Sequence, residues 1–326
     1  MCEDLSGKQI LLLYSRFFGY DVIVKNKLES FGAQVDLYDA RANINSFEKA
    51  IRKIDSHFYY RKQRRFHSRI QEDNCEKKYD YIFANDVIDE EILRKYRYLF
   101  PSATMLLYLD DSVENMKGVE QTFKYYDHIL TFDKRDADIY QIAFRPLFFS
   151  DDFKKDYHTH YEFDISFIGT CHSDRLSIIN ILRCKYSNYK FFFFCYLQSW
   201  FMFYYHLFSD REYRKVKKSF FQFKSLSTSE VAEILDKSKC VLDIQHPKQN
   251  GLTMRTIETL GARRKLITTN QDIKNYDFYD EKNIHIIDRS NPIIPDAFLI
   301  GEYQQVDDSI YEKYSITAWI QEVFTG

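Results

Sequence analysis

Short apolar runs, each closed by polar residues and followed by a helical stretch, recur along the chain and restrict the folds open to it. In the first half they are Ile10 to Tyr14, Gln34 to Tyr38, Asp80 to Ala84, Met105 to Leu109 and His128 to Phe132. Runs this short and continuous suit strands buried on both faces. Tyr20 to Phe31 has helical spacing, and Gly32 is its stop. Strands alternating with helices predict a parallel sheet with helices on both faces. No G-x-G-x-x-G follows the first run, which argues against a dinucleotide oxidoreductase.

The pattern begins again after a short polar, charged stretch at 150–161. Phe163 to Ile168, Phe191 to Leu197, Cys240 to Ile244, Lys265 to Thr269 and Asn283 to Ile287 read as a second set of strands. Two α/β domains are therefore expected, 1–155 and 156–326, and 326 residues suffice for both. A net charge of −2 gives no field for nucleic acid. The six cysteines form no C-x-x-C, and no apolar signal segment opens the chain, so free thiols in a reducing cytoplasm are expected.

Chemistry concentrates at two strand-to-helix turns of the second half. The first is FIGTCHSDR: Gly169, Thr170 and His172 end a strand, and Arg175 lies in the first turn of the helix that follows. Gly169 lets backbone approach a phosphate closely, and His172 or Arg175 supplies charge. The alternative is a tight turn with a solvent-facing histidine. The second turn lies within 239–270. Its loop carries His246, Pro247, Gln249, Asn250 and Gly251, Thr253 is the expected N-cap, and a helix runs to about Gly261 or Ala262. Arg255 and Glu258 share a helix face, with Met254, Ile257 and Leu260 on the buried one. The carboxylate can accept two hydroxyl hydrogen bonds, as from a ribose, and the guanidinium can fork onto a diphosphate. The alternative is an ordinary ion pair on a solvated helix.

The second turn, with Gly251, Arg255, Glu258, Gly261 and the Lys265–Thr269 strand, resembles the nucleotide-sugar-binding helix of GT-B glycosyltransferases. The likeness is to the "group 1" families that build bacterial cell-surface polysaccharides, capsule and lipopolysaccharide among them. FIGTCHSDR fits the Gly-Thr loop of their donor domain. FFGYDVIVKNKLESFGAQVDLYDAR, LYLDDSVEN and LTFDKRDA carry a looser likeness in the first half. The resemblance implies two Rossmann-like domains facing a cleft, the last helix (309–324) packing back on the first domain, and a nucleotide-diphosphate sugar as donor. The expected donor-binding residues are Gly169, Thr170, His172, Arg175, His246, Gly251, Thr253, Arg255 and Glu258. Many retaining members carry two glutamates with seven residues between them. Glu258 fits the second, and Asn250 stands at the first, so the stereochemical outcome is not implied.

In this family the N-terminal domain holds the acceptor, here a glycan or lipid-linked precursor. A carboxylate at its strand ends can remove the acceptor's proton, and Asp86 and Asp111 are the expected catalytic residues, with Asp110 at the same ends. Each is also a plausible helix cap or turn residue. LYLDDS and Asp136-Ala-Asp138 raise a metal-dependent reading, but the stronger nucleotide motif favours GT-B, which needs neither metal nor cofactor. The function expected is sugar transfer onto a surface glycan or its precursor. The rivals are a nucleotide-sugar epimerase and an inactive nucleotide-sugar-binding partner of a polysaccharide complex.

Two aromatic and basic stretches complete the reading. A helix expected over 47–70 carries Arg52, Lys53, Arg61, Lys62, Arg64, Arg65 and Arg69 among aromatic residues. It suits either an anionic membrane surface or plain solvent. The stretch 191–209 contains no Asp, Glu, Lys or Arg. It can be core, an interfacial anchor or a membrane span; Phe191 to Leu197 fits a strand and Trp200 to Phe208 an aromatic surface segment. Arg211, Arg214, Lys215, Lys217 and Lys218 follow it, so peripheral attachment to the inner face of a membrane is expected alongside a cytoplasmic location.

Overall fold

The computed structural model describes residues 5–42, 56–247 and 250–325. They form two compact units, Met1–Pro146 with Ile316–Gly326, and Leu147–Ser315. The change of unit at 146/147 lies a few residues before the polar stretch at 150–161 that marks it in the sequence.

The first unit is built on β1 (Gln9–Leu13), α1 (Tyr20–Ser30), β2 (Gln34–Tyr38), α2 (Ser56–Asp73), β3 (Tyr81–Ala84), α3 (Glu90–Leu99), β4 (Thr104–Leu109), α4 (Val119–Thr122), β5 (His128–Thr131), α5 (Lys134–Tyr140) and β6 (Ala143–Phe144). Its strands are all parallel, in the order β2-β1-β3-β4-β5-β6. Ile10, Leu11, Leu12 and Leu13 are all fully buried, as a central strand covered on both faces requires. Gly32 ends α1 with φ +86°, and a Cβ there would lie 2.9 Å from the Ser6 Cα. Conformation and space both exclude a side chain. The expected helix over 47–70 is described from Ser56 onward and continues to Asp73; its first part lies outside the described residues.

The second unit follows the same plan: β7 (Phe163–Thr170), α6 (Arg175–Lys185), β8 (Phe191–Tyr196), α7 (Trp200–Ser209), β9 (Phe221–Gln222), α8 (Thr228–Asp236), β10 (Ser238–Asp243), α9 (Met254–Gly261), β11 (Lys265–Thr268), β12 (Ile284–Ile286), α10 (Asp296–Ile300) and α11 (Asp308–Lys313). Its parallel strands take the order β12-β11-β10-β7-β8-β9. The capping box expected at Ser227 and Glu230 forms at the start of α8.

One alternative is removed and one expectation is corrected. The charge-free stretch 191–209 is no membrane span: it divides into strand β8 and helix α7, and no helix among the described residues is long and apolar enough to cross a membrane. The single closing helix expected over 309–324 is two, α11 and α12 (Ile316–Thr325). Between them the Tyr314 carbonyl accepts from the Phe149 N–H at 2.9 Å, and Ser315 bridges Phe149 in parallel. The backbone groups needed to continue the helix are taken by another strand segment. Helix α12 belongs to the first unit, where Trp319 meets Tyr108 edge-on at 4.9 Å and Phe324 stacks on Phe83 at 5.5 Å.

Candidate functional site

In the second unit, β7-β8-β9 build outward one way and β10-β11-β12 the other, so the strand order reverses between β7 and β10. Ligands of open α/β sheets bind outside the carboxyl ends of the strands at such a reversal. The two turns singled out in the sequence are the ones that leave β7 and β10. Topology thus brings Gly169, Thr170, His172 and Arg175 to the same end of the sheet as His246, Gly251, Thr253, Arg255 and Glu258.

Arginines tie these strand ends together. Arg175 Nε donates to the Ile244 carbonyl at 2.6 Å, and another guanidinium N–H donates to the Thr170 carbonyl at 2.9 Å. One side chain from α6 thus fixes the ends of β7 and β10. A Cβ on Gly169 would lie 3.4 Å from that guanidinium and 3.1 Å from the Phe167 ring, so glycine there leaves Arg175 its place. Burial lowers the pKa of Arg175, partly offset by Asp243, yet a guanidinium stays charged at neutral pH. His172 does not supply charge as the sequence reading allowed. Burial, then the neighbouring Arg175 and His246, lower its pKa to about 4, so the ring is neutral at pH 7. It lies 5.6 Å from the exposed His246, centroid to centroid.

Arg289, which follows β12, was not anticipated. It donates to both carboxylate oxygens of Asp174 at 2.7 and 2.8 Å, to the Gln245 carbonyl at 2.6 Å and to the Thr269 hydroxyl at 3.2 Å. It joins the turn after β7, the loop after β10 and the end of β11. The available signal was its position two residues past an expected strand end. Asp243 was also missed, because it sits inside an apolar run. This buried carboxylate accepts from the hydroxyls of Thr253 at 2.6 Å and Thr256 at 2.8 Å. Thr253 Oγ in turn accepts from the Thr256 N–H, so it is the N-cap of α9 as expected. Asn270 Nδ2 donates to the carbonyls of Asn250 at 3.0 Å and Gly251 at 3.3 Å, holding the loop from β11. Gln249 of that loop lies outside the described residues.

Helix α9 differs from the expected amphipathic helix. Thr256, Glu258 and Thr259 are buried along with Ile257 and Leu260, so its polar face is covered too. Arg255 donates to Glu258 at 2.5 Å, with side-chain exposures of 17% and 7%, which removes the solvated-pair alternative. The buried Arg255 Nε has no hydrogen-bond partner. A buried carboxylate held in one orientation by a guanidinium is poised to receive donors from a ligand.

The first unit reverses its strand order between β1 and β3. Acids and an arginine collect at that end. Asp86 is buried; it pairs with Arg41 and accepts from the Ser15 hydroxyl and, at 2.7 Å, from the Val87 N–H. Asn85 accepts from the Ser15 N–H at 2.8 Å and donates to Asp110 at 2.8 Å. Asp111 is exposed and accepts from the Ser112 N–H at 2.8 Å and from Asn115 at 2.9 Å, a turn-forming arrangement. Asp110 has its proton affinity raised: burial pushes its pKa up to about 7, the Asn85 hydrogen bond opposes this, and Asp86 and Asp111 add to it. Asp136 accepts from the Val113 N–H at 2.7 Å in the first turn of α5, which accounts for the D-x-D letters there. Among the described residues no three His, Cys, Asp or Glu side chains group as metal ligands.

By sequence, the chain matches no protein-family model and no curated protein. By structure it is similar to HepE of Anabaena in complex with UDP and glucose, with a TM-score of 0.59 and 9% identity over 97% of both chains. It is also similar to WaaB, a lipopolysaccharide outer core galactosyltransferase, with a TM-score of 0.56 and 12% identity over 97% of this chain and 98% of that one. A third likeness is to AviGT4, a glycosyltransferase involved in avilamycin A biosynthesis, with a TM-score of 0.56 and 11% identity over 97% of this chain and 95% of that one. The fold is that of GT-B glycosyltransferases. At these identities the likeness is one of fold alone.

Proposed function

We propose that this protein transfers a sugar from a nucleotide-diphosphate donor to a hydroxyl of a glycan or lipid-linked acceptor, in the manner of enzymes that build surface polysaccharides. The observation that carries this reading is the buried Arg255–Glu258 pair beside the strand reversal of a GT-B-type sheet. Glu258 is proposed to accept both ribose hydroxyls. Arg255 and Arg175 are proposed to face the diphosphate, where fixed cations stabilise the charge growing on the departing nucleotide. Gly169, Thr170, Gly251 and Thr253 shape the loops around it, and the neutral His172 and the exposed His246 offer hydrogen bonds at the rim. HepE, which shares the fold, is the protein crystallised with UDP-glucose, and this supports the same donor class here.

Removal of the acceptor proton is assigned to Asp110. A base whose pKa lies near 7 is matched to neutral conditions. Asp86, buried and paired with Arg41, is proposed to position this cluster and raise the Asp110 pKa, while Asp111 supports the turn beside it.

Turnover of a panel of nucleotide sugars tests the reading. Nucleotide released only when an acceptor is present supports transfer. Nucleotide-linked sugar converted to its epimer without acceptor would instead identify an epimerase, and donor binding without turnover an inactive partner.

A further inference from the structure

Helix α7 keeps five of its six Phe, Tyr and Trp side chains on the outside. Trp200, Phe201, Tyr204, Tyr205 and Phe208 are 63%, 67%, 41%, 59% and 79% exposed. At about 100° per residue these positions fall within one arc of about 140°, a single stripe along the helix. The opposite side holds the helix to its unit: Phe203 is buried against Phe221 at 5.3 Å, and His206 stacks on Tyr213 at 4.8 Å. The stripe is therefore surplus to the packing that secures the helix. Exposed apolar surface of this extent marks a contact site.

The surroundings say what it contacts. Residues 210–224 carry Arg211, Arg214, Lys215, Lys217, Lys218 and Lys224 against two acids, Asp210 and Glu212, in a chain whose net charge is −2. All six cations are exposed. They are also tied to the stripe. Arg214 donates to the carbonyls of Leu207 and Phe208 at 2.9 Å each, and Lys218 Nζ lies 5.3 Å from the centre of the Tyr204 ring. Trp and Tyr with Phe on one face, flanked by Lys and Arg, match the two layers of a membrane interface. The rings enter the boundary between headgroup and acyl chain, and the cations meet anionic phosphates.

We infer that α7 and the basic segment after it form a docking surface for an anionic phospholipid bilayer, lying in the interface plane without spanning it. The inference rests on this surface alone and is independent of the proposed sugar transfer.

Tryptophan fluorescence can test it, because the chain has two tryptophans and the other, Trp319, is fully buried in the first unit. The whole protein is mixed with vesicles of phosphatidylcholine alone or containing phosphatidylglycerol, at about 0.05 M and about 0.5 M salt, and sedimented. Binding is expected to the anionic vesicles at low salt, with a blue shift of Trp200 emission and quenching by brominated acyl chains. The double variants Phe201→Ser with Phe208→Ser, and Lys217→Glu with Lys218→Glu, should each lose at least about tenfold in partitioning. Both pairs are exposed, so thermal unfolding should be unchanged; if a variant misfolds, Trp200 quenching in the unaltered protein still decides. Equal binding to both vesicle types, no change in Trp200 emission, or full binding by both variants would overturn the inference. A dimer of the unaltered protein that the phenylalanine variant abolishes, with no vesicle binding, would assign the stripe to a second copy and overturn it too.

Discussion

At the scale of single residues, two carboxyls carry the distinguishing predictions. Glu258→Gln keeps an acceptor for Arg255 but removes the charge that strengthens hydrogen bonds to ligand hydroxyls. Affinity for UDP, used as the probe in calorimetry, should fall by about 1.5–3 kcal/mol. Stability should also fall, by about 1–3 kcal/mol, because a guanidinium only 17% exposed is left without its anion. Unaltered UDP affinity would confine the pair to a structural role. Asp110 gives a pH prediction. Its folded pKa, about 7, lies above the value of about 3.9 for an unfolded aspartate, so between these values the folded chain binds more protons. Its contribution to stability is therefore highest below pH 4, falls as pH rises to about 7, and is constant beyond. Asp110→Asn should remove that fall and raise the melting temperature at pH 8. If Asp110 is the base, turnover should rise with pH through about 7 in the unaltered protein, and the variant should lose about 10²–10⁴-fold. A variant with an unchanged rate would send the search for the base elsewhere.

At the scale of elements, the site is organised by cross-ties between strand ends. Arg289→Ala would leave Asp174 without its bidentate partner and free the Gln245 carbonyl, loosening two loops together. A stability loss of about 2–4 kcal/mol, accompanied by weaker UDP binding, is the expected outcome in thermal unfolding and calorimetry. If binding alone changed, Arg289 would be a ligand contact and not a tie. Helix α9 is placed by a close approach at its end. A Cβ on Gly261 would lie 2.6 Å from Phe149 Cγ, closer than any real contact. Gly261→Ala should force the ring or the helix to move and cost about 1–3 kcal/mol, read as a lower melting temperature. An unchanged melting temperature would mean that Phe149 yields freely.

At the scale of the whole molecule, the chain leaves its first unit, builds the second and returns. The returning helix α12 contributes Trp319, Ile320, Val323 and Phe324 to the first unit's core. Residues far apart in sequence thus share one core, and that unit is incomplete until the last turns of the chain are in place. Phe324→Ala removes a ring stacked on Phe83 and in contact with Tyr81 at 5.6 Å. The expected cost is about 3–5 kcal/mol, measured as a lower urea midpoint of Trp319 fluorescence. A midpoint that does not move would show that α12 adds little to the stability of the unit it joins.

The sequence by itself determined the fold class and nearly every element, because a strand buried on both faces must be written as a continuous apolar run. The β1 run from Ile10, with Ile10 to Leu13 fully buried, and the capped helix after Ser227 appear where the residues place them. It also marked the two glycine-bearing turns, since turn chemistry is local. Tertiary structure alone decided what those turns do together. The Ile244 carbonyl that Arg175 binds and the Gln245 carbonyl that Arg289 binds follow β10, remote from both arginines in the chain, and no spacing rule connects them. Burial decided the rest: it made the Arg255–Glu258 pair an interior one, left His172 uncharged and moved the raised pKa to Asp110. It also settled 191–209 as a half-buried strand and an outward aromatic helix, because β8 has neighbours on both sides and α7 is covered on one. Desolvation depends on everything that surrounds a group, and most of what surrounds these groups is remote in sequence.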